Sequence, residues 1–273
     1  MKFKIVTDSS CDLSNEYIID DNVGFEIVPL SINIDQNCFI DNDSLNIDEM
    51  LLCMKNSKSA AKTSCPSPFF FTNSYEEADY VFVITISSKL SGTYNSAYLG
   101  AIESNNKVHV IDSKGTSGMM ILIIDKLYEL IKSGFEFEKI IDEIERYQKS
   151  LNLLFVLDKF DNLVKNGRMS KLTAIAATAL FIKPLCIAKD GQIAIHEKPK
   201  TMKASLIRLV NNIGNLCDDF SNKCYITHCK NLENANKVKQ MILEKYSFKD
   251  VVILEMKGLC SFYALENGII VSF

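Results

Sequence analysis

YVFVITISSKLSGTYNSA, the stretch from Tyr80 to Ala97, joins a strand, a hydroxyl-rich turn and the start of a helix. Its first part, Tyr80 to Ile86, is almost wholly apolar and rich in β-branched and aromatic residues, which is typical of a strand buried on both faces. The turn ends at Ser91-Gly92, and helical spacing of apolar residues begins directly after it. Free backbone N–H groups at such a helix start, together with the Ser91 hydroxyl and the helix dipole, favour an anion. The alternative is that Ser91 serves only as an N-cap, the usual position of serine before a helix.

Strands and helices alternate on both sides of this stretch, and the alternation predicts an α/β fold. A strand at Phe3–Thr7 and a helix at Leu13–Asp20 are expected before it, and a strand at Val108–Asp112 after it. Such alternation indicates a mainly parallel sheet with right-handed crossovers. Beyond residue 150 the pattern changes, because a hairpin turn at residues 189–192 indicates a mixed sheet. We therefore predict two domains: an N-terminal α/β domain with a mainly parallel sheet over residues 1–150, and a C-terminal α/β domain with a mixed sheet over residues 151–273.

Hydroxyl-rich and acidic turns follow three of the predicted strands. They are Asp8 to Ser10, Ser87 to Ser91, and Asp112-Ser113. Ligands bind at the carboxyl ends of the strands in open parallel sheets, so these turns are expected to share one rim.

Composition narrows the class of protein. The net charge is −4 over 273 residues and no block of five like charges occurs, which argues against a nucleic-acid footprint. No signal peptide is recognised, and the longest apolar runs, such as Met119 to Ile124, fall far short of the roughly 20 residues that a membrane span needs. Nine scattered cysteines indicate free thiols in a reducing compartment. We expect a cytoplasmic protein.

The familiar signatures of catalysis and of cofactor binding are missing from the sequence. There is no G-x-G-x-x-G after the first strand, no G-x-x-x-x-G-K-[ST] and no G-x-S-x-G. Cys217, Cys224, His228 and Cys229 lie close in sequence but lack C-x-x-C spacing, so neither a metal nor a cofactor is expected. The remaining hydroxyls and amides are suited to holding an anion and lack an obvious base, which favours binding over catalysis.

Five blocks of sequence together resemble one family. They are TDSSCDLS (Thr7 to Ser14), TSCPSP (Thr63 to Pro68), ISSKLSGTYNSA (Ile86 to Ala97), DSKGTSG (Asp112 to Gly118) and LVKNGRMSK (Leu163 to Lys171). In order and spacing they are similar to the DegV family of bacterial fatty-acid-binding proteins, and the similarity covers nearly the whole chain. The resemblance implies two α/β domains with a fatty acid buried between them.

The resemblance also implies roles for single residues. Thr63 and Ser91 match the positions that hold the lipid carboxylate, and Arg168 matches an arginine on the surface that meets a partner. That partner is a fatty acid kinase, which phosphorylates the carboxyl group for phospholipid synthesis, while the binding protein itself performs no chemistry. Transient membrane contact for lipid exchange is expected as well. From the residues alone, Arg168 is equally well a solvated loop cation or a charge at a helix C-terminus.

Two features of the C-terminal half bear on the lipid site. The alanine-rich run Leu172 to Phe181 is a candidate tunnel wall, or else a close-packed core helix. The family usually ends with a histidine that reaches the carboxylate, whereas this chain has no histidine there and Tyr263 falls near its place. Further departures from the family motifs are Cys65 for Gln, Lys89 for Gly and Asn166 for Gly.

Two other functions stay open at the level of sequence. An enzyme, such as a transferase or hydrolase of a small anionic substrate, would use the Asp8/Ser91 rim, with Asp8, Asp112 or Cys11 as its base. A relative that has lost lipid binding would act as a protein-interaction module, which the missing histidine makes conceivable.

Overall fold

The computed structural model describes residues 2–57, 59–170 and 182–273, in which strands and helices alternate. The helix predicted over Leu172 to Phe181 lies outside these residues. The strands are β1 Phe3–Asp8, β2 Val23–Val28, β3 Ser31–Ile34, β4 Asn37–Ile40, β5 Lys62–Ser64, β6 Tyr80–Thr85, β7 Lys107–Asp112, β8 Leu153–Val156, β9 Leu185–Lys189, β10 Gln192–Glu197, β11 Lys223–His228, β12 Asp250–Glu255 and β13 Ile269–Ser272. The helices are α1 Ile47–Asn56, α2 Pro68–Ser74, α3 Thr93–Glu103, α4 Gly118–Lys132, α5 Phe137–Gln148, α6 Asp161–Lys165, α7 Met202–Leu216, α8 Leu232–Lys245 and α9 Gly258–Ala264.

The N-terminal half is built on a parallel sheet, as predicted. Its strand order is β2-β1-β6-β7, and every pairing in it is parallel. In β6, Val81 and Val83 pack into one apolar cluster while Phe82 and Ile84 pack into another, so the strand is covered on both faces. This burial explains the nearly continuous apolar run from which the fold class was predicted.

A small antiparallel sheet, β4-β3-β5, stands beside the parallel one. Pro29 separates β2 from β3, because a proline cannot donate to a ladder and the chain leaves one sheet for the other at this point. Strand β5 pairs with β3, with Thr63 opposite Ile32. The segment around Thr63 is thus held in a fixed position at its start.

The C-terminal half carries a mixed six-stranded sheet, as predicted, in the order β10-β9-β8-β13-β11-β12. Residues of β8 alternate between two clusters. Leu154 and Val156 pack with helices α7 and α8, whereas Leu153 and Phe155 face the N-terminal half. Strand β13 lies inside the sheet, between β8 and β11, and is antiparallel to both.

Helix α4 packs against both halves of the chain. It contacts β1 and β6 of the parallel sheet and also β11 and β13 of the mixed sheet. Gly118, its first residue, allows the closest approach, because a Cβ there would lie 2.8 Å from the Tyr225 Cβ. The division at residue 150 therefore remains a prediction, since this helix belongs equally to the cores on either side of it.

Within the described residues, one predicted helix was wrong and one helix was not predicted. Leu13 to Asp20 forms no helix, because Asp12 adopts a left-handed conformation (φ 61°) and its carboxylate accepts hydrogen bonds from elsewhere in the chain rather than capping a helix. Helix α9 was missed, and it packs against α1, α6 and β3.

Candidate functional site

A cavity lies between the two halves of the molecule, walled mainly by apolar side chains. About 820 Å³ of its space is unfilled by atoms, solvent at the mouth included. A cavity lined by apolar groups with a few polar ones is typical of a small-molecule site. The described residues that line it are Leu30, Thr63, Ile86, Leu90, Ser91, Lys114, Gly115, Thr116, Leu153, Phe155, Leu157, Leu163, Arg168, Ala188, Gly191, Gln192, Ile193, Leu259, Cys260, Tyr263, Ala264 and Ile270.

Thr63 and Tyr263 meet at the wall of this cavity. The Thr63 Oγ1 and the Tyr263 hydroxyl lie 2.8 Å apart, and either oxygen can donate. Thr63 is positioned by strand β5, and Tyr263 by helix α9 from the opposite half. Burial raises the pKa of Tyr263, an effect that the hydrogen bond to Thr63 and the charge of Arg168 partly offset. Tyr263 is therefore a neutral phenol that can donate a hydrogen bond into the cavity.

Ser91 lines the same cavity from the turn between β6 and α3. Its backbone N–H donates to the Ser87 carbonyl at 3.1 Å, which closes the turn. Its hydroxyl lies 2.8 Å from the Thr93 hydroxyl and 3.3 Å from the Thr93 backbone nitrogen. Ser91 thus contacts the first residue of helix α3 and also lines the cavity. The sequence-predicted pair, Thr63 and Ser91, is brought to one cavity.

Arg168 also lines the cavity, after the turn that ends helix α6. The left-handed φ of 73° at Gly167 makes that turn possible, because glycine adopts it without strain. The Arg168 Nε donates to the Leu90 carbonyl at 2.9 Å and its Nη1 to the Asn166 carbonyl at 2.5 Å. The guanidinium is half-buried, next to the residue that precedes Ser91. Its role in partner binding stays a prediction.

Two buried carboxylates hold the start of helix α9. Asp41 accepts from the Gly258 and Leu259 backbone nitrogens at 2.8 and 2.9 Å, and Asp12 accepts from the Lys257 backbone nitrogen at 2.8 Å. Burial raises the pKa of Asp12 to about 7 and also raises that of Asp41. These acids position the helix that contributes Tyr263, and sequence reasoning did not identify this role for either of them.

The predicted polar rim forms, but its acids face backbone amides. Asp8 is completely buried, accepts from the Ile86 backbone nitrogen at 2.7 Å and also bonds Ser10. Burial raises the pKa of Asp8 to about 6. Asp112 accepts from the Ser88 backbone nitrogen at 3.0 Å, and Cys11 is buried with a raised pKa. Of the three candidate bases, none lines the cavity among the residues that the structure describes.

The described ranges contain neither a metal site nor a helix able to span a membrane. Within them, no group of three or more His, Cys, Asp or Glu side chains is arranged to hold a metal ion. Nor does any described helix combine the length and apolar character that crossing a membrane requires.

A protein-family model described as "uncharacterised protein, DegV family" matches residues 2–272. The chain belongs to the DegV family. A DegV domain-containing protein of Streptococcus pyogenes serotype M1 is 37% identical over 279 residues, which cover 100% of this chain and 99% of the relative. Family membership agrees with the five motifs and with the α/β architecture.

Solved DegV-like structures match the whole fold. The Streptococcus pneumoniae fatty acid kinase (Fak) B3 protein, loaded with linoleic acid, has a TM-score of 0.95 and 34% identity, with 100% of this chain and 99% of that chain covered. A DegV family protein of Ruminococcus gnavus with vaccenic acid has a TM-score of 0.92 and 34% identity, with the same coverage. A DegV family protein of Eubacterium eligens, loaded with heptadecanoic acid, has a TM-score of 0.91 and 34% identity, covering 99% of this chain and 98% of that chain.

Proposed function

We propose that this protein binds a long-chain fatty acid, with the tail in the cavity between the halves and the carboxylate at Thr63 and Ser91. The observation that carries the proposal is that these two residues, far apart in sequence, line the same apolar cavity. The fatty acids in the related structures support the same ligand class.

The apolar wall accounts for affinity and the hydroxyls account for orientation. Burying a tail of about fourteen methylene groups is favourable by roughly 11 kcal/mol at ~0.8 kcal/mol each, from which the costs of association are subtracted. A carboxylate at a helix start adds only about 1 kcal/mol. Burial of the tail contributes far more binding free energy than the head-group contacts do. Loss of the head-group contacts is therefore expected to weaken binding rather than to remove the site.

The charge of the bound carboxylate has to be balanced, since burying an unpaired carboxylate is costly. The Arg168 guanidinium provides a positive charge at the cavity wall, and the Tyr263 hydroxyl provides a neutral donor near the position of the absent histidine. In our proposal Arg168 therefore acts toward the ligand in addition to its expected role at a partner surface.

A separate fatty acid kinase is the proposed partner, and it would phosphorylate the carboxyl group for phospholipid synthesis. The chain itself would perform no chemistry and need no cofactor, which fits the burial of Asp8 against backbone amides. Under this proposal the protein works in the cytoplasm and exchanges lipid through brief membrane contact.

Mass spectrometry of the purified protein tests the lipid assignment. Protein from a bacterial host is denatured and extracted, and we expect close to one acyl chain per chain of protein. The double variant Thr63→Ala/Ser91→Ala should retain clearly less of this lipid than the wild type after purification while remaining folded.

The matched control is Ser64→Ala/Ser67→Ala, which removes two hydroxyls from the same segment outside the described cavity lining. We expect it to retain lipid. An empty wild-type protein would refute fatty acid binding, whereas equal lipid in both double variants would refute the head-group assignment alone.

A further inference from the structure

One side of the cavity is formed by the inner face of strands β8, β9 and β10. Ala188 pairs with Ile193 across the β9–β10 hairpin. On its other side, the antiparallel pairing of Leu154 with Ile187, continued by one residue, places Leu153 beside Ala188. Leu153, Ala188 and Ile193 all line the cavity. They therefore form a row across three strands, with the smallest side chain in the middle.

Four of the described lining residues are glycine or alanine, and three of these are small because the protein itself fills the space around them. A Cβ at Gly115 would lie 2.4 Å from the Met119 Sδ, and one at Gly191 would lie 2.5 Å from the Ser87 Oγ. Ala264 is only 3% exposed, so almost no free space adjoins it. At these three positions close packing within the protein requires a small residue.

Ala188 is the fourth small residue, and its surroundings differ. It lies on the inner face of the sheet, packed against the apolar core that both halves share, yet it is only half-buried. Side chains alternate between the two faces of a strand, so its methyl group points to the same side as the other lining residues of the sheet. A larger side chain at this position would extend into the cavity rather than into the protein.

The N-terminal half holds the strand that carries Ala188 at a fixed distance. The Ser87 hydroxyl donates to the Gly191 carbonyl at 2.7 Å, in the hairpin turn that follows β9. A Cβ at Gly191 would lie 3.6 Å from the Lys114 Cα, so the turn is also in close contact with that segment. Ser87 is completely buried, and moving the hairpin away would leave its hydroxyl without this acceptor. The cavity therefore cannot widen easily to compensate for a larger residue.

We propose that Ala188 determines the largest acyl chain that the cavity accepts. Its single methyl group leaves room for a long tail, and a larger side chain restricts the protein to shorter ones. A long tail that fills the cavity has no free space to move into when a side chain intrudes, whereas a short tail does. This inference rests on the proposed function, and it names tail length as the property of the fatty acid that the site selects.

The variant Ala188→Leu tests this role with oleate and laurate, a long and a short fatty acid. Competitive displacement of a fluorescent fatty acid from the full-length chain gives the affinity for each. The ratio of oleate affinity to laurate affinity should fall about tenfold or more, since a single methylene group in an apolar pocket already changes binding by about that factor. Ala188→Val should lower the ratio by less, and it serves as the test if Ala188→Leu does not fold.

The matched control is Ala194→Leu, on the same hairpin but on the opposite face of the sheet. Ala194 pairs with Ile187, which packs against the cluster under helices α7 and α8, and it is not among the described lining residues. This variant should keep the wild-type ratio. An unchanged ratio in the Ala188 variants, or an equal fall in Ala194→Leu, would overturn the inference. Failure of both fatty acids to displace the probe from the wild type would instead refute the proposed function.

Discussion

The chemistry of the cavity depends on a small number of side chains that the fold brings together. Thr63 and Tyr263 are 200 positions apart in the chain and yet share a 2.8 Å contact. Sequence motifs identified Thr63, Ser91 and Arg168, and the missing histidine drew attention to Tyr263. What the motifs did not indicate was the placement of Arg168 at the cavity wall, because its hydrogen bonds go to backbone carbonyls, which no side-chain pattern reveals.

Arg168→Met tests whether the guanidinium balances the carboxylate charge. We expect affinity for oleate to fall about tenfold or more, since hydrogen bonds to charged groups contribute about 1.5–3 kcal/mol. Affinity for oleyl alcohol, which has a tail of the same length and no charge, should change little. Competitive displacement of a fluorescent fatty acid measures both ligands. Equal losses for acid and alcohol would show that Arg168 supports the fold rather than the charge.

At the scale of elements, the sequence pattern predicted the strands and helices that are stabilised by residues close to them in sequence. The run Tyr80 to Ile86 and the helix after Ser91 formed as expected. Helix α9 was missed because the acids that hold its start are remote: Asp41 lies 217 positions before Gly258. The false helix at Leu13 to Asp20 has the same cause, since the side chain of Asp12 is engaged by Lys257 and Ser117.

Asp41→Asn tests whether the Asp41 carboxylate stabilises the start of helix α9. An asparagine has one acceptor oxygen where the carboxylate uses two, so one of the two backbone nitrogens would face an amide donor. We expect a loss of about 2 kcal/mol in the free energy of unfolding, which is the upper range for a helix cap. Urea denaturation measures it.

The matched control is Asp43→Asn, an exposed acid whose loss should cost much less. It pairs with the Lys257 ammonium at 2.7 Å at the surface. Equal effects of the two substitutions would contradict a special role for Asp41. Weaker lipid retention is also expected in Asp41→Asn, because α9 carries Tyr263.

For the whole molecule, burial of carboxyl groups predicts an unusual dependence of stability on pH. The pKa of Asp8 is raised to about 6 and that of Asp12 to about 7, from 3.8. Between pH 4 and pH 7 the folded protein therefore binds protons that the unfolded chain has already released. By linkage, the free energy of unfolding falls as pH rises through this range.

Urea unfolding at pH 5 and pH 8 measures this dependence. The wild type should be more stable at pH 5, and Asp12→Asn should reduce the difference between the two values, whatever its effect on the absolute stability. His109 and His228 oppose the trend, because burial lowers the pKa of each and favours the folded state at higher pH. Stability that rises from pH 5 to pH 8, or a difference unaffected by Asp12→Asn, would contradict the assignment.

The position of β13 has a consequence for biosynthesis. The strand separates β8 from β11 in the finished sheet, but it is translated more than 100 residues after β8. Until it leaves the ribosome, the facing sides of β8 and β11 have no ladder partner and remain open to pairing with other nascent chains. Completion of the C-terminal sheet, and with it the cavity, therefore has to wait for β13, and chaperone dependence during synthesis is a natural corollary.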